Sequence, residues 1–353
     1  MTLDKRINSF VLLGSFLKQF IVNEKNDALS ALNQHFYTDF EELILRQKSY
    51  NGWFDKENVM EAIGAISNLL TREALYQWLS NYSINEKSSK NIGVIMAGNI
   101  PLVGFHDFLS VLITGNILVA KLSSDDNTLL SKIVAILQAI DSDFNNRINI
   151  VEKLEGFDAV IATGSNNSSR YFEYYFGKYP HIIRRNRNSV AIIHKSDTPK
   201  DLKNLGKDIF QYYGLGCRNV SKLYLPEKYP INNFFEAILA DYQGVVQNNK
   251  YANNYDYNKA VYLLGENSLL DNDFVLLKED KALASPVGVL YYEFYNDINQ
   301  LEEELNQRKE EIQCVVSSSN TPLNTIEFGK AQSPALDDYA DGIDTVQFLI
   351  DLA

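Results

Sequence analysis

The residue with the most chemical potential is Cys217, in Tyr213-Gly214-Leu215-Gly216-Cys217-Arg218-Asn219. Two glycines let the backbone approach a ligand, and a neighbouring guanidinium favours the thiolate, the form that attacks a carbonyl. The same residues also describe an inert cysteine buried at a glycine turn, and the local sequence leaves both readings open. Cys314 begins the apolar run Cys314-Val315-Val316 and reads as a small core residue. Thr163-Gly164-Ser165 joins an apolar run to a helix beginning near Asn167. Backbone N–H groups at a helix start suit a phosphate. The turn is neither G-x-G-x-x-G nor G-x-S-x-G, so by itself it is equally a plain turn. Arg184-Arg185-Asn186-Arg187 is the densest basic spot, either a solvated face or a counter-charge for a cofactor phosphate. The acidic stretch from Asp337 to Asp344 lacks the pattern of a calcium loop and reads as solvated.

These residues sit in a chain of 353 residues with a formal net charge of −12. Binding to a nucleic-acid backbone requires clustered positive charge, which this chain lacks, so nucleic acid is not an expected partner. Two cysteines cannot build a disulfide framework, and they indicate a reducing compartment. Four scattered histidines have no ligand spacing, so no metal site is expected. The apolar stretch Phe10–Leu17 is broken by Lys18 and fits an amphipathic helix better than a signal peptide. No apolar run approaches the ~18 residues that a membrane span needs. A cytoplasmic protein is the expectation.

The elements that must position these side chains follow from periodicity. Residues 1 to about 82 read as helices, one of them capped by Asp55 with a face running from Met60 to Trp78. Asn85 to Lys90 is a polar connector. Short apolar runs then alternate with helices: strands at Ile92–Met96, Ile117–Lys121, Phe157–Ala162 and Val190–Ile193, with helices at His106–Ile113 and Thr128–Ile140. Uninterrupted apolar strands alternating with helices predict a parallel sheet covered on both faces. Ligands of such a doubly wound α/β domain lie at the carboxyl ends of its strands. A second α/β segment carries Cys217, strands at Ser221–Leu225, Val287–Phe294 and Cys314–Ser317, and helices at Ile231–Tyr242 and Asn296–Lys309. The expected division is 1–195 for the helical region plus the first α/β domain and 196–330 for the domain carrying Cys217. Residues 331–353 form a C-terminal segment packing on the first domain or on a partner subunit.

In this order, the motifs resemble the aldehyde dehydrogenase superfamily, and more closely the acyl-CoA reductases of bacterial bioluminescence. Ala97-Gly98-Asn99-Ile100-Pro101 resembles P-W-N-F-P, which implies an oxyanion-hole role for Asn99. Gly115-Asn116 through Lys121-Leu122-Ser123-Ser124 resembles G-N-x-x-x-x-K-P-S-E, which implies that Lys121 contacts the adenosine ribose. Ser124 replaces the Glu that binds the ribose 2′-OH, so the expected cofactor is NADPH (NADP). Thr163-Gly164-Ser165 resembles F-T-G-S, which gives Gly164 and Ser165 a pyrophosphate. Gly214-Leu215-Gly216-Cys217 resembles G-Q-x-C around the nucleophile. Ile183 stands where hydrolytic members carry the Glu that activates water, and Ala282-Leu283-Ala284-Ser285-Pro286-Val287 replaces E-x-F-G-P-V. The resemblance thus implies an aldehyde-dehydrogenase-like fold of two doubly wound α/β domains behind a helical N-terminal region. It also implies a homo-oligomer, a dimer by expectation, that reduces an acyl-CoA to an aldehyde through a Cys217 thioester. The alternatives are an acyl-phosphate or semialdehyde reductase, or a non-reducing acyl carrier.

Overall fold

Four helices open the chain: α1 (Leu3–Val22), α2 (Ser30–Tyr50), α3 (Lys56–Leu69) and α4 (Arg72–Leu79). The computed structural model describes residues 1–84, 89–319 and 321–352. The polar connector expected from Asn85 to Lys90 therefore lies outside the described residues, apart from Ser89 and Lys90. Asp55 caps α3 by accepting from the Asn58 amide, as its position predicts. The apolar face expected to run unbroken to Trp78 is interrupted at Leu70, and Thr71 starts α4 by accepting from Ala74. Satisfying fresh amide groups with a threonine cap restarts the helix in a new direction.

The first sheet follows, with β1 (Asn91–Ile95), α5 (Phe105–Ile113), β2 (Ile117–Lys121), α6 (Thr128–Ile140), β3 (Ile148–Ile150), β4 (Ala159–Thr163), α7 (Asn166–Phe176) and β5 (His181–Arg184). Its strand order is β3-β2-β1-β4-β5, parallel throughout. The chain winds outward from β1 on one side and returns to build the other, so the switch point lies between β1 and β4. The short strands β3 and β5 escape a reading by apolar runs, because β3 carries two exposed residues and β5 one. One apolar core joins the N-terminal helices to this sheet. Within it Phe10 meets Phe108 and Phe144 edge-on, at 6.2 and 5.9 Å between centroids.

The second unit spans Asn186–Pro334. It contains β6 (Asn188–Ile192), α8 (Pro199–Phe210), β7 (Val220–Pro226), α9 (Ile231–Tyr242), α10 (Asn249–Leu264), β8 (Leu270–Asp271), β9 (Leu276–Glu279), β10 (Val289–Tyr295), α11 (Ile298–Gln307) and β11 (Ile312–Ser317). The strand order is β11-β6-β7-β10-β9-β8, and only β8 runs antiparallel to its neighbour. The strand expected as the fourth of the first domain is β6, and it pairs with β7 and β11 instead. The first unit consequently ends at Arg185, ahead of the expected 195. Backbone pairing decides this, and an apolar tetrapeptide carries no label for the sheet it will join.

The C-terminal segment from Ala335 belongs to the first unit and ends in α12 (Thr345–Asp351). Trp78 Nε1 donates to the Tyr339 hydroxyl at 2.7 Å, and the Tyr82 hydroxyl donates to Asp344 at 2.7 Å. Arg184, from the basic run, is buried and donates to Asp107 at 2.6 Å and to Thr345 Oγ1 at 2.9 Å. Arg185 pairs with Glu173, and Arg187 with Glu310. Each arginine of that run thus meets a carboxylate of its own unit, whereas the sequence left the run open between a solvated face and a counter-charge for a cofactor phosphate. Removing one partner of a buried ion pair strands the other charge, at a cost of about 3–5 kcal/mol. Asp107→Ala should accordingly lower the stability of the first unit by about that amount in urea unfolding. A loss under about 1 kcal/mol would show that Arg184 does not depend on this carboxylate.

Candidate active site

In the first unit, the expected residues gather at the carboxyl ends of β1, β2 and β4. Beyond β1, Gly98 is buried against the turn that follows β2. A Cβ there would come 2.5 Å from Ser123 Oγ, so a larger residue would push the two turns apart. Asn99 follows, exposed. Asp126 ties the same turns together: its Oδ2 accepts from the Leu102 amide at 2.6 Å, where Leu102 holds a left-handed φ of 57°. Burial pushes the Asp126 carboxyl up to about 6, against the lowering effect of that hydrogen bond. Lys121 and Ser124 stand exposed on either side of Leu122 and Ser123.

Past β4, Ser165 caps α7 by accepting from the Ser168 amide at 3.2 Å. A Cβ on Gly164 would lie 2.8 Å from both Ser168 Cβ and the Phe172 ring, so only glycine brings the strand this close to the helix start. The structure thus brings Asn99, Lys121, Ser124, Gly164 and Ser165 to one end of one sheet, flanking its switch point. The Asn of the Gly115-Asn116 pair serves the fold, since the Asn116 side chain accepts from Lys90 N and donates to Thr114.

Cys217 belongs to the second unit, in the loop between α8 and β7. The chain leaves α8 through Tyr212, Tyr213 and Gly214, at φ values of 53°, 58° and 77°. Two consecutive non-glycine residues in the left-handed region cost about 1–2 kcal/mol each. Asn219 offsets that strain. It is 3% exposed, and its Nδ2 donates to the carbonyls of Asp208 (3.0 Å), Ile209 (3.4 Å) and Gln211 (2.8 Å), near the carboxyl end of α8. Its Oδ1 accepts from Gly216 N at 2.8 Å, and its own amide donates to Gly216 O at 3.0 Å. One buried side chain therefore closes the turn holding Cys217 and satisfies carbonyls that the helix end leaves open.

A second strut comes from the segment after β11. Asp208 accepts from Gly329 N (2.6 Å) and Ala331 N (3.0 Å), and Arg218 Nε donates to Ala331 O. Arg218 is thereby tied down beside Cys217. Cys217 is half-buried, and neither cysteine forms a disulfide. The loop lies at the amino end of β7, unlike the sites of the first sheet at its carboxyl end. Behind it is a cavity of about 30 Å³, lined by Tyr213, Gly214, Ser221, Tyr251, Ser285 and Val287 among others. The Ser285-Pro286-Val287 stretch thus borders the loop that carries Cys217. The cavity has room for about two waters. Among the described residues no group of three metal-ligating side chains occurs, and no helix is long and apolar enough to cross a membrane.

Sequence reading left Asn219, Asp208 and Ser189 without a role. Asn219 was in view two residues from the cysteine, and a buried asparagine after a glycine pair is a turn signal. Nothing in the local sequence marks Asp208, because its partners are about 120 residues away. Burial raises its carboxyl from 3.8 to about 6, against the lowering hydrogen bonds from Gly329 and Ala331. A raised acid keeps its proton longer in the folded state, so its ionisation erodes stability as pH climbs from about 4 to about 6. The stability advantage of the wild type over Asp208→Asn should therefore shrink by about 2–3 kcal/mol between pH 4 and 7. A pH-independent difference between the two in urea unfolding would refute that assignment.

The family described as Acyl-CoA reductase (LuxC) matches residues 14–247. No curated protein matches the chain. Among solved structures, aldehyde dehydrogenase 21 from Physcomitrella patens, in complex with the reaction product succinate, superposes with a TM-score of 0.69 at 13% identity. That likeness covers 100% of this chain and 84% of the other. An aldehyde dehydrogenase from Bacillus cereus, in an NAD+ complex, gives 0.63 at 12% identity over 91% and 73% of the two chains. A Mycobacterium tuberculosis aldehyde dehydrogenase complexed with NAD+ gives 0.59 at 11% over 89% and 73%. At such identities the likeness shows the fold, which is that of the aldehyde dehydrogenases.

Proposed function

The chain belongs to the acyl-CoA reductase (LuxC) family, and from that premise we propose that it reduces an acyl-CoA to an aldehyde with NADPH, through a thioester on Cys217. The observation that carries the reading is the Cys217 loop. A thiol sits on a strained turn pinned by a buried asparagine, an investment that an inert core cysteine does not need.

The residues at the end of the first sheet fit a dinucleotide. Lys121 offers a cation and Ser124 a hydroxyl where a carboxylate would repel a 2′-phosphate. Gly164 brings the end of β4 close against the start of α7, whose first-turn amides suit a pyrophosphate. Bound NADPH would supply a hydride.

The chain's own residues supply the acyl chemistry. The Cys217 thiolate attacks the thioester carbonyl, and the charge moves to its oxygen. Asn99 keeps the oxyanion role that the resemblance gives it, alongside the Cys217 amide. Collapse breaks the carbon–sulfur bond to CoA, whose thiolate is a good leaving group and takes up a proton from solvent. The Cys217 thioester would present its carbonyl carbon to that hydride, and the thiohemiacetal alkoxide so formed would collapse to the aldehyde, breaking the carbon–sulfur bond and returning Cys217 as the thiolate. Ile183, on β5, stands where hydrolytic relatives carry their water-activating Glu, and it has no group to activate water. That favours reduction over release of an acid.

NADPH consumption with a series of acyl-CoAs should be readily measured by absorbance and should vanish in Cys217→Ala. Asn99→Ala should lower kcat by about 10²–10³. Turnover that survives in Cys217→Ala would refute the mechanism. Consumption with acyl phosphates alone would move the assignment to an acyl-phosphate reductase. A stable acyl-protein that NADPH leaves unchanged would make it an acyl carrier.

A further inference from the structure

Both cysteines of the chain meet one serine. Ser189, near the start of β6, is fully buried. Its Oγ lies 2.9 Å from the Cys217 carbonyl oxygen and 3.0 Å from Cys314 Sγ. A carbonyl only accepts, so the serine proton is committed to Cys217. The contact with Cys314 then needs the thiol as donor, giving a chain from Cys314 S–H to Ser189 O–H to Cys217 C=O. Burial pushes the Cys314 thiol up to about 11, so at neutral pH it carries the proton that this chain requires. That burial outweighs the lowering effects of the Arg218 charge and of the Ser189 hydrogen bond.

The sheet is irregular at this point on both sides of Ser189. Along β6 and β7, Ser189 pairs with Val220 but Val190 with Lys222, leaving Ser221 as an extra residue. Along β6 and β11, Asn188 pairs with Ile312 but Val190 with Val315, so three steps on β11 match two on β6 beside Cys314. Bulges re-aim side chains and recur next to active sites. Here two of them flank the serine that reaches the backbone of Cys217.

We infer that Ser189 is a positioning residue for the Cys217 nucleophile, and that Cys314 orients its hydroxyl. The inference rests on the reading of Cys217 as the nucleophile. Asn219 holds the turn on the amino side of Cys217 through Gly216, and Ser189 holds its carbonyl. Together they set the peptide planes on both sides of the residue and hence the direction of its side chain. Small misplacements of a reacting group cost rate far more than affinity.

The test uses the full chain and two readouts. One is the pH profile of Cys217 alkylation by iodoacetamide, followed by mass spectrometry of the Cys217 peptide. The other is steady-state reduction of octanoyl-CoA with NADPH. Ser189→Ala should shift the alkylation profile and lower kcat about tenfold, with KM changed less than about twofold. Ser189→Thr, which keeps the hydroxyl, should restore both, and Cys314→Ala should fall between. Cys314→Ala also carries the test if Ser189→Ala does not fold. A wild-type profile and kcat in both Ser189→Ala and Cys314→Ala would overturn the inference. So would a Ser189→Thr variant as impaired as Ser189→Ala. Cys217→Ala is the control for the underlying reading: if it turns over, the nucleophile assignment fails. If it is inactive while Ser189→Ala matches wild type, only the positioning role fails.

Discussion

The side chain of Asn219 is buried where the end of a helix, a strained turn and the start of a strand converge. An amide in that place must spend its donors and acceptor on the protein, since water cannot reach them. It does so on the carbonyls of Asp208, Ile209 and Gln211 and on the amide of Gly216. Once those bonds are made, the left-handed pair Tyr212 and Tyr213 has few alternatives, and Cys217 is carried on the closed turn. A helix followed directly by a relaxed loop would leave the thiol free to wander. The asparagine exchanges that freedom for a defined position, and the strain of the turn is the cost.

The second unit builds outward from that clamp. Asp208, one residue of the same helix end, reaches the amides of Gly329 and Ala331, and Arg218 returns to Ala331 from beside the cysteine. The segment after β11 is thus bound to both sides of the Cys217 loop. Ser189 approaches from β6, through a sheet whose register is broken on both of its flanks. The first unit solves a different problem with the same means. Asp126, buried below the turn after β2, fixes the turn after β1 through Leu102, and Gly98 lets the two turns touch. The candidate residues at this sheet end hold their places because the turns between them are bonded to each other.

Much of this organisation can be read without coordinates. Apolar runs with helical stretches between them marked β1, β2, β4 and β7 and implied parallel sheets, because a strand buried on both faces has no polar alternation to show. Asp55 marked the start of α3, since capping is a local event decided by one side chain and the next turn of backbone. The short strands β3, β5, β8 and β9 and the long polar helix α10 carried too little apolar pattern to be seen.

The sequence by itself determined the α/β class, the family, and the candidate nucleophile and binding residues. Those depend on residue type and on spacing over a few positions. Tertiary structure alone decided which sheet Val190 joins, that the first unit ends at Arg185 and is completed by residues from Ala335 onward, and that the arginines from Arg184 to Arg187 pair with internal carboxylates. It also decided that Cys314, a core residue by its neighbours, stands one hydroxyl away from the backbone of Cys217. The physical reason is the same in each case. Hydrogen bonds and ion pairs between residues from 12 to 161 positions apart form only after the chain has closed, and no local pattern is required to announce them.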